Sequence, residues 1–323
     1  MRVSLTLAIL LCAHLPAMGQ AVRGLEDGVL TAFTNCAGRP YLNRIHFSAA
    51  GKNLGRGPIR YEGTSPVLSM MPYDTGLLTS FTHCNGNPHL NRIHFSEEGL
   101  RPGEGETRYE GVSPATCMIA YDGGVLTSFT NVNDDPSKNR IHFSPDGRNL
   151  GTGPIRYEGV SPVTAMARLG QNGVLVAFTN VNGDSTTNRI HFSRDGRNLG
   201  TGEVWYEGCS PVTAILVSDR GDILVAFANC ENNPALNRIH SSPSGSKRLG
   251  SGRILYEGVS PVLGMFPFHR GALIAFTNCQ GRPELNRVHW QPDLARQLGT
   301  GEIRYEGISP VSGMVCSRSS PWL

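Results

Sequence analysis

Residues 91–115 read NRIHFSEEGLRPGEGETRYEGVSPA, and this stretch carries the motifs that decide the fold. An Asn-Arg pair begins at Asn91, and His94 lies two residues after the arginine. Tyr109 begins a Tyr-Glu-Gly motif, which is followed by Ser-Pro at Ser113. Apolar and polar residues alternate on both sides of a glycine-rich loop, which predicts two short strands joined as a hairpin.

The whole stretch recurs six times along the chain, and its Asn-Arg pairs are spaced by 48 or 49 residues. These pairs begin at Asn43, Asn91, Asn139, Asn188, Asn237 and Asn286. The Tyr-Glu-Gly motifs begin at Tyr61, Tyr109, Tyr157, Tyr206, Tyr256 and Tyr305, and Ser-Pro follows each one. A fixed period of this size is typical of a repeat architecture, so six units account for most of the chain.

Each unit contains four strand-like runs bounded by Gly, Pro, Asn and Asp. In the second unit they are residues 67–73, 77–82, 91–96 and 107–111. Four short strands in about 48 residues match one blade of a β-propeller, and no window has the periodicity of an amphipathic helix. The predicted fold class is therefore all-β, a six-bladed β-propeller of four-stranded antiparallel blades.

The two ends of the repeat array are out of phase by one strand. The first unit begins at a second strand, residues 29–34, and the chain ends with a surplus first strand, residues 309–315. The C-terminal strand is therefore expected to complete the first blade and close the ring, which removes an open sheet edge. Without a linker or a shift in composition, residues 20–323 are predicted to form one domain.

Residues 1–19 have the layout of a secretory signal peptide: a positive end, an apolar stretch and small residues before a cut at Gln20. We therefore expect a secreted, extracellular protein with no membrane span. Removal of Cys12 leaves seven cysteines; this odd number implies at least one thiol that is free or paired with another molecule, beside any disulfides that the others form. A net charge of +3 on 323 residues does not favour nucleic acid as a partner.

Strand alternation predicts how the third and fourth strands of a unit pair. In the first unit, a register that pairs Arg44 with Glu62 and Ile45 with Tyr61 also places Phe47 opposite Ile59 and His46 opposite Arg60. Apolar residues then face apolar residues, and an arginine faces a glutamate, which favours this register.

The repeated Arg–Glu pair has two interpretations. It is either an ion pair buried between blades, where each partner satisfies the other, or part of a pocket between adjacent blades. Arginine donates, glutamate accepts and an aromatic face covers apolar carbons, which suits the hydroxyls and ring of a sugar. The candidate ligand-binding residues are Arg44, Tyr61, Glu62, Arg92, Tyr109, Glu110, Arg140, Tyr157, Glu158, Arg189, Tyr206, Glu207, Arg238, Tyr256, Glu257, Arg287, Tyr305 and Glu306.

This layout resembles secreted six-bladed β-propeller lectins of the fucose-binding type from fungi and bacteria. The resemblance implies sugar sites between blades, formed by an Arg, a Glu and an aromatic residue of each unit. The chain departs from that family in two ways. Its Arg and Glu are 18 or 19 residues apart across the glycine-rich loop, and no tryptophan recurs, since Trp205, Trp290 and Trp322 are unrelated positions.

An enzyme is the rival class to a lectin. Sialidases also use six-bladed propellers, but residues 144–147 place the glycine of their Asp-box motif one position early. Catalysis needs one asymmetric set of groups, whereas this chain offers six near-copies, so no enzyme is expected. No cofactor or metal is expected either, although calcium near Asp134, Asp135 and Asp184 is an alternative to ordinary turn chemistry.

The sequence thus predicts a secreted, multivalent carbohydrate-binding protein whose partners are glycans or glycoproteins. The alternative is a propeller scaffold that binds a protein partner through its loops.

Overall fold

In the computed structural model, residues 28–171 and 173–316 are described, and they form six four-stranded antiparallel sheets arranged in a ring. The predicted signal peptide, residues 1–19, lies outside the described residues. Within those two ranges, no helix is long and apolar enough to cross a membrane.

The strands follow one another in chain order through the six blades. The first two blades contain β1 (Gly28–Phe33), β2 (Asn43–Ala49), β3 (Ile59–Gly63), β4 (Val67–Tyr73), β5 (Gly76–Phe81), β6 (Asn91–Glu97) and β7 (Glu106–Gly111). The next two contain β8 (Ala115–Tyr121), β9 (Gly124–Phe129), β10 (Asn139–Ser144), β11 (Ile155–Gly159), β12 (Val163–Leu169), β13 (Gly173–Phe178), β14 (Asn188–Ser193) and β15 (Glu203–Gly208). The last two contain β16 (Val212–Val217), β17 (Ile223–Phe227), β18 (Asn237–Ser242), β19 (Arg253–Gly258), β20 (Val262–Phe268), β21 (Gly271–Phe276), β22 (Asn286–Gln291) and β23 (Glu302–Gly307). The final strand, β24 (Val311–Cys316), returns to the first blade.

A single 3-10 turn lies between the second and third strands of each blade. These turns are Cys36–Gly38, Cys84–Gly86, Val132–Asp134, Val181–Gly183, Cys230–Asn232 and Cys279–Gly281. We number the blades from the one that contains β1, and we count strands within a blade from the ring axis outward. The first strands of neighbouring blades contact one another around that axis.

The last strand of the chain closes the ring, as the phase of the repeats predicts. β24 pairs antiparallel with β1, so that Leu30 lies opposite Val315, and the first blade has the order β24-β1-β2-β3. The all-β, six-bladed prediction with C-terminal closure is therefore confirmed.

The hydrophobic core is divided among the boundaries between blades. At the first boundary, Leu30 and Ile45 of blade 1 pack against Val67 and Leu77 of blade 2, and all four are essentially buried. Second strands are covered on both faces, which explains why β9 is buried along its whole length. Burial of apolar area between neighbours is thus what makes the blades depend on each other.

The predicted hairpin register is correct for half of its length. Arg44 lies opposite Glu62 and Ile45 opposite Tyr61, but His46 lies opposite Ile59 and not Arg60. Arg60 is an extra residue in a β-bulge, and its guanidinium lies 5.3 Å from the centre of the Phe47 ring. The bulge turns Ile59 outward, so the predicted pairing of Phe47 with Ile59 is wrong.

Candidate ligand-binding site

All six predicted Arg–Glu pairs are present as cross-strand ion pairs. The arginine Nε lies 2.6 Å from the glutamate Oε2 in Arg44–Glu62, Arg92–Glu110, Arg238–Glu257 and Arg287–Glu306. The same two atoms are joined in Arg140–Glu158 and Arg189–Glu207. The arginines occupy the second position of each third strand and the glutamates the penultimate position of each fourth strand.

These pairs are open to solvent and are not sealed by the next blade. In the Arg44–Glu62 pair, 31% of the arginine side chain and 48% of the glutamate side chain are exposed, and the other pairs are similar. A partly exposed ion pair contributes little to stability. The interpretation as a buried ion pair therefore does not account for six copies of this arrangement.

The way each arginine binds its glutamate leaves part of the guanidinium available. The ion pair uses Nε, and in five of the blades the two η nitrogens have no hydrogen-bond partner among residues 28–171 and 173–316. Since a guanidinium carries five N–H donors, up to four remain to bind a ligand from solvent. The exception is Arg238 in blade 5, which holds a second carboxylate from Glu231.

The repeated tyrosines have a structural role that accounts for their position. The ring of Tyr157 packs on Phe178 of the next blade, with centroids 4.7 Å apart, and its hydroxyl both donates to the carbonyl of Ser161 and accepts from the amide of Ser161. The other five tyrosines make the same contacts. Burial raises the pKa of their hydroxyls, in Tyr206 to about 12. Only Arg and Glu of the predicted set therefore present unoccupied polar groups.

The side-chain nitrogen of each Asn-Arg asparagine is used by the fold, and in the blades other than blade 3 the side-chain oxygen is used as well. Asn91 is buried, its amide donates to the carbonyls of Gly111 and Val112, and its Oδ1 accepts from the Thr82 hydroxyl. This one side chain ties the loop after β5 to the end of β7. The asparagine thereby fixes the position of the neighbouring arginine, Arg92.

The repeated histidines hold the glycine-rich loop. The Nδ1 of His142 lies 2.9 Å from the carbonyl of Gly153, and its ring packs edge-on against Phe129. A Cβ on Gly153 would lie 1.9 Å from the carbonyl oxygen of Phe143, so only glycine fits there. Burial lowers the pKa of His142, which favours the neutral imidazole. The Gly-x-Gly motif is thus a turn device, as its place in the sequence indicates.

A cleft of about 340 Å³ between blades 3 and 4 brings the candidate residues together. Glu158 of blade 3 and Arg189 of blade 4 both line it, so this cleft takes its carboxylate from one blade and its guanidinium from the next. Asn182, in the 3-10 turn of blade 4, adds an exposed amide, and Val160 adds an exposed aliphatic side chain. A cleft of this volume and lining accommodates a small polar ligand.

Val160 and Asn182 are not among the residues that the motifs identify. They occupy loop positions that vary from unit to unit, so a search for identical residues does not find them. Val160 supplies the apolar surface that the sequence analysis assigned to tyrosine.

The aspartates of blades 3 and 4 cap their own turns. Asp184 accepts from the amide and hydroxyl of Thr186 and from the hydroxyl of Thr187, which hold the pKa of its carboxyl at about 2. Asp135 does the same with Ser137, and Asp134 lies 3.2 Å from His89 of blade 2. Over the described ranges, no three His, Cys, Asp or Glu side chains come together as a metal site.

The seven cysteines that follow the predicted signal peptide are all unpaired thiols in this structure. Four of them begin the 3-10 turns, where they are buried; the Cys36 thiol, for example, contacts the carbonyl of Phe33. Burial raises the pKa of these thiols, which disfavours the reactive thiolate. The equivalent residues in blades 3 and 4 are Val132 and Val181, which fill the same apolar position.

Comparison with known proteins gives similarity of structure alone. No protein-family model matches the chain, and no curated protein matches it by sequence. A protein of unknown function from Bacteroides caccae shares 13% identity over 90% of this chain and 98% of its own, with a TM-score of 0.49. The WD40 propeller domain of Doa1 shares 12% over 93% and 88%, with a TM-score of 0.48. An exo-β-1,3-galactanase from Phanerochaete chrysosporium shares 8% over 74% and 65%, also with a TM-score of 0.48. At these values none of the three bears on what this chain binds.

Proposed function

We propose that the chain is a secreted, multivalent glycan-binding propeller with its sites in the clefts between blades. The observation that carries this proposal is the recurrence of a solvent-open Arg–Glu pair whose arginine keeps its η nitrogens available. The predicted signal peptide supports secretion.

The chemistry of the cleft suits a sugar. The η nitrogens of Arg189 can donate to ring hydroxyls, while Glu158 accepts hydrogen bonds from the opposite wall. Val160 can cover the apolar carbons of the ring, and the Asn182 amide can both donate and accept. A binding role is favoured over catalysis because the sites repeat the same groups, whereas catalysis needs groups whose pKa values are driven apart.

Repetition on a rigid ring would compensate for weak individual sites. Once one cleft binds an arrayed glycan, the others meet their ligands at a high effective concentration. Shallow, partly exposed sites are therefore compatible with strong binding to a glycosylated surface and with weak binding to free sugar.

A glycan array tests the proposal directly. The protein is compared with an Arg44→Ala, Arg140→Ala double variant, which removes two guanidiniums without touching the tyrosines or asparagines that hold the blades. Arg220→Ala serves as the matched control, because this exposed arginine lies in the turn between the first and second strands, on the opposite side of the ring from the pairs. We expect reduced binding for the double variant alone; no bound glycan with any of the three proteins would reject the proposal.

A protein-binding scaffold is the second candidate, and one observation favours it. The fourth strands carry aliphatic residues at their outer edge, Ile59, Ile155, Val204, Ile254 and Ile303, which are 44–49% exposed. Each of these side chains offers an apolar contact to a partner that binds the outer wall of the ring. Capture of one stoichiometric protein that free sugars do not displace, and that Ile155→Ser weakens, would support this function over the lectin.

A further inference from the structure

The Arg238 guanidinium in blade 5 binds two carboxylates of its own blade. Its Nε lies 2.6 Å from Oε2 of Glu257, as in the other blades, and its Nη1 lies 2.6 Å from Oε1 of Glu231. Glu231 belongs to the 3-10 turn at Cys230–Asn232. The edge of the guanidinium that stays open in five blades is therefore occupied here by a carboxylate of the protein.

The residue at the position of Glu231 varies among the blades, whereas the backbone of the 3-10 turn that carries it does not. At the position of Glu231 the other turns carry Ala37, Asn85, Asn133, Asn182 and Gln280. Glu231 has φ 57° and ψ 30°, and Gln280 has φ 60° and ψ 26°, so both side chains leave the turn in the same direction. In blade 4 this position lines the cleft as Asn182, beside Arg189.

We propose that the Glu231 carboxylate occupies the place of a ligand carboxylate, so that the five other clefts bind sugars that carry a carboxylate and the cleft between blades 4 and 5 is closed by its own residue. This inference rests on the proposed function and gives it a ligand class, the acidic sugars of the uronate type. It also reduces the number of open sites from six to five.

The charges around the pairs are compatible with an acidic ligand. Arg238 holds two carboxylates at different edges of one guanidinium, which is the arrangement that Arg189 and Glu207 would form with a ligand carboxylate. In blade 3 a second cation is present, since Lys138 Nζ lies 3.9 Å from Glu158. An arginine also matches the planar geometry of a carboxylate better than that of a neutral hydroxyl.

The test follows each site separately through the side-chain Nε–Hε signals of the six arginines in a nitrogen-15 spectrum, assigned with single Arg→Lys variants. The probes are D-glucuronate, D-glucose as its neutral counterpart, and acetate as a carboxylate without a sugar. Three proteins are compared: the full chain, the Glu231→Gln variant and the Gln280→Glu variant. Glu231→Gln opens the cleft between blades 4 and 5, and Gln280→Glu closes the cleft between blades 5 and 6. One substitution removes a carboxylate and the other introduces it at the equivalent position of the next blade. Opposite effects at the two arginines therefore cannot come from a general change in fold.

We expect glucuronate to shift five signals in the unmodified chain, with binding at Arg238 at least about fivefold weaker, because the ligand must displace an ion pair and meet a like charge. Glu231→Gln should bring Arg238 to the level of the others, and Gln280→Glu should weaken the response of Arg287 by a similar factor.

Three results would overturn the inference in different ways. Equal shifts with glucose would reject the acidic ligand class and leave the lectin function intact. Equal shifts with acetate would reject a sugar as the ligand of these arginines. A normal response of Arg238 before substitution, or of Arg287 in Gln280→Glu, would reject the closed cleft. Failure of the proposed function itself is distinct, because it gives no binding on the glycan array with any protein.

Discussion

The ring of Tyr61 in blade 1 packs on the ring of Phe81 in blade 2, with centroids 4.8 Å apart, while its hydroxyl is held by both backbone groups of Ser65. One residue thus joins two blades and fixes the loop that connects them. Because the contact recurs at every boundary, including the one that Tyr305 and Phe33 form between blades 6 and 1, it is part of what keeps the ring closed.

The first prediction concerns the tyrosine hydroxyl. Tyr157→Phe keeps the ring on Phe178 but leaves the amide and carbonyl of Ser161 without their partner. Loss of a partner for a part-buried backbone group costs about 1–3 kcal/mol. We expect the free energy of unfolding in urea to fall by that amount while glycan binding per folded molecule stays unchanged.

Tyr41→Phe is the control for this substitution, since Tyr41 is 78% exposed and should tolerate the change. If Tyr157→Phe left stability intact and abolished glycan binding, the tyrosine would be a ligand residue, as the sequence analysis first assigned it.

The second prediction concerns the two edges of the guanidinium. Arg140→Lys retains the positive charge, but an ammonium cannot hold Glu158 through one edge and present a second planar edge to a ligand. We expect the number of sugar sites per molecule, measured by calorimetric titration, to fall by one, with little change in unfolding by urea because the pair is partly exposed. Arg220→Lys should change neither quantity; an unchanged site number in Arg140→Lys would remove Arg140 from the site.

The sequence was sufficient for the architecture because the phase of the repeats is visible in the chain itself. The predicted hairpin register is wrong beyond Ile45 because it assumes that residues alternate strictly between the two faces, which leaves no place for an inserted residue. Arg60 is polar and therefore fits an outward position equally well. Other units indicate the true orientation of this position. The residues equivalent to Arg60 there are Trp205 and Leu255, which are apolar and buried and so do not fit an outward-facing position.

For the candidate site, the sequence correctly identified the Arg–Glu pair, but it also predicted a ligand-binding role for the adjacent tyrosine, whose ring and hydroxyl are used by the fold. The cross-strand position of Arg44 and Glu62 follows from strand periodicity, which is a local property. The engagement of Tyr61 with the backbone of Ser65 depends on how a loop folds back four residues later, and no periodicity encodes it. Glu231 was missed because its position varies among the units, although it is the one charged residue among the six equivalent positions, which is itself a signal of asymmetry.

The third prediction concerns pH. Burial lowers the pKa of five repeated histidines below their ordinary value of 6.5; they are His94, His142, His191, His240 and His289. The unfolded chain therefore binds more protons than the folded one as the pH falls below about 6.5, and the stability present above that pH is progressively lost. We expect urea unfolding to give a lower free energy at pH about 5.5 than at about 7.5.

His142→Gln tests the origin of this loss, because it removes one of five titrating groups. The change of stability between the two pH values should be smaller in the variant, whatever its absolute stability. An identical pH dependence in the variant would assign the effect to other groups.

The fourth prediction concerns closure of the ring by β24. This strand covers the inner edge of β1 and buries Val311, Met314 and Val315. At about 1.5–3 kcal/mol for each buried side chain, its removal costs on the order of 5 kcal/mol, which is comparable with the whole stability of many domains. The cut chain also exposes a row of unpaired backbone groups on β1, which favours pairing with a second molecule. We expect a chain ending at residue 308 to unfold at much lower urea and to associate in sedimentation experiments. A chain ending at Cys316 keeps β24 and is the matched control, so equal stability and a monomeric state for both truncations would show that closure by this strand does not hold the ring together.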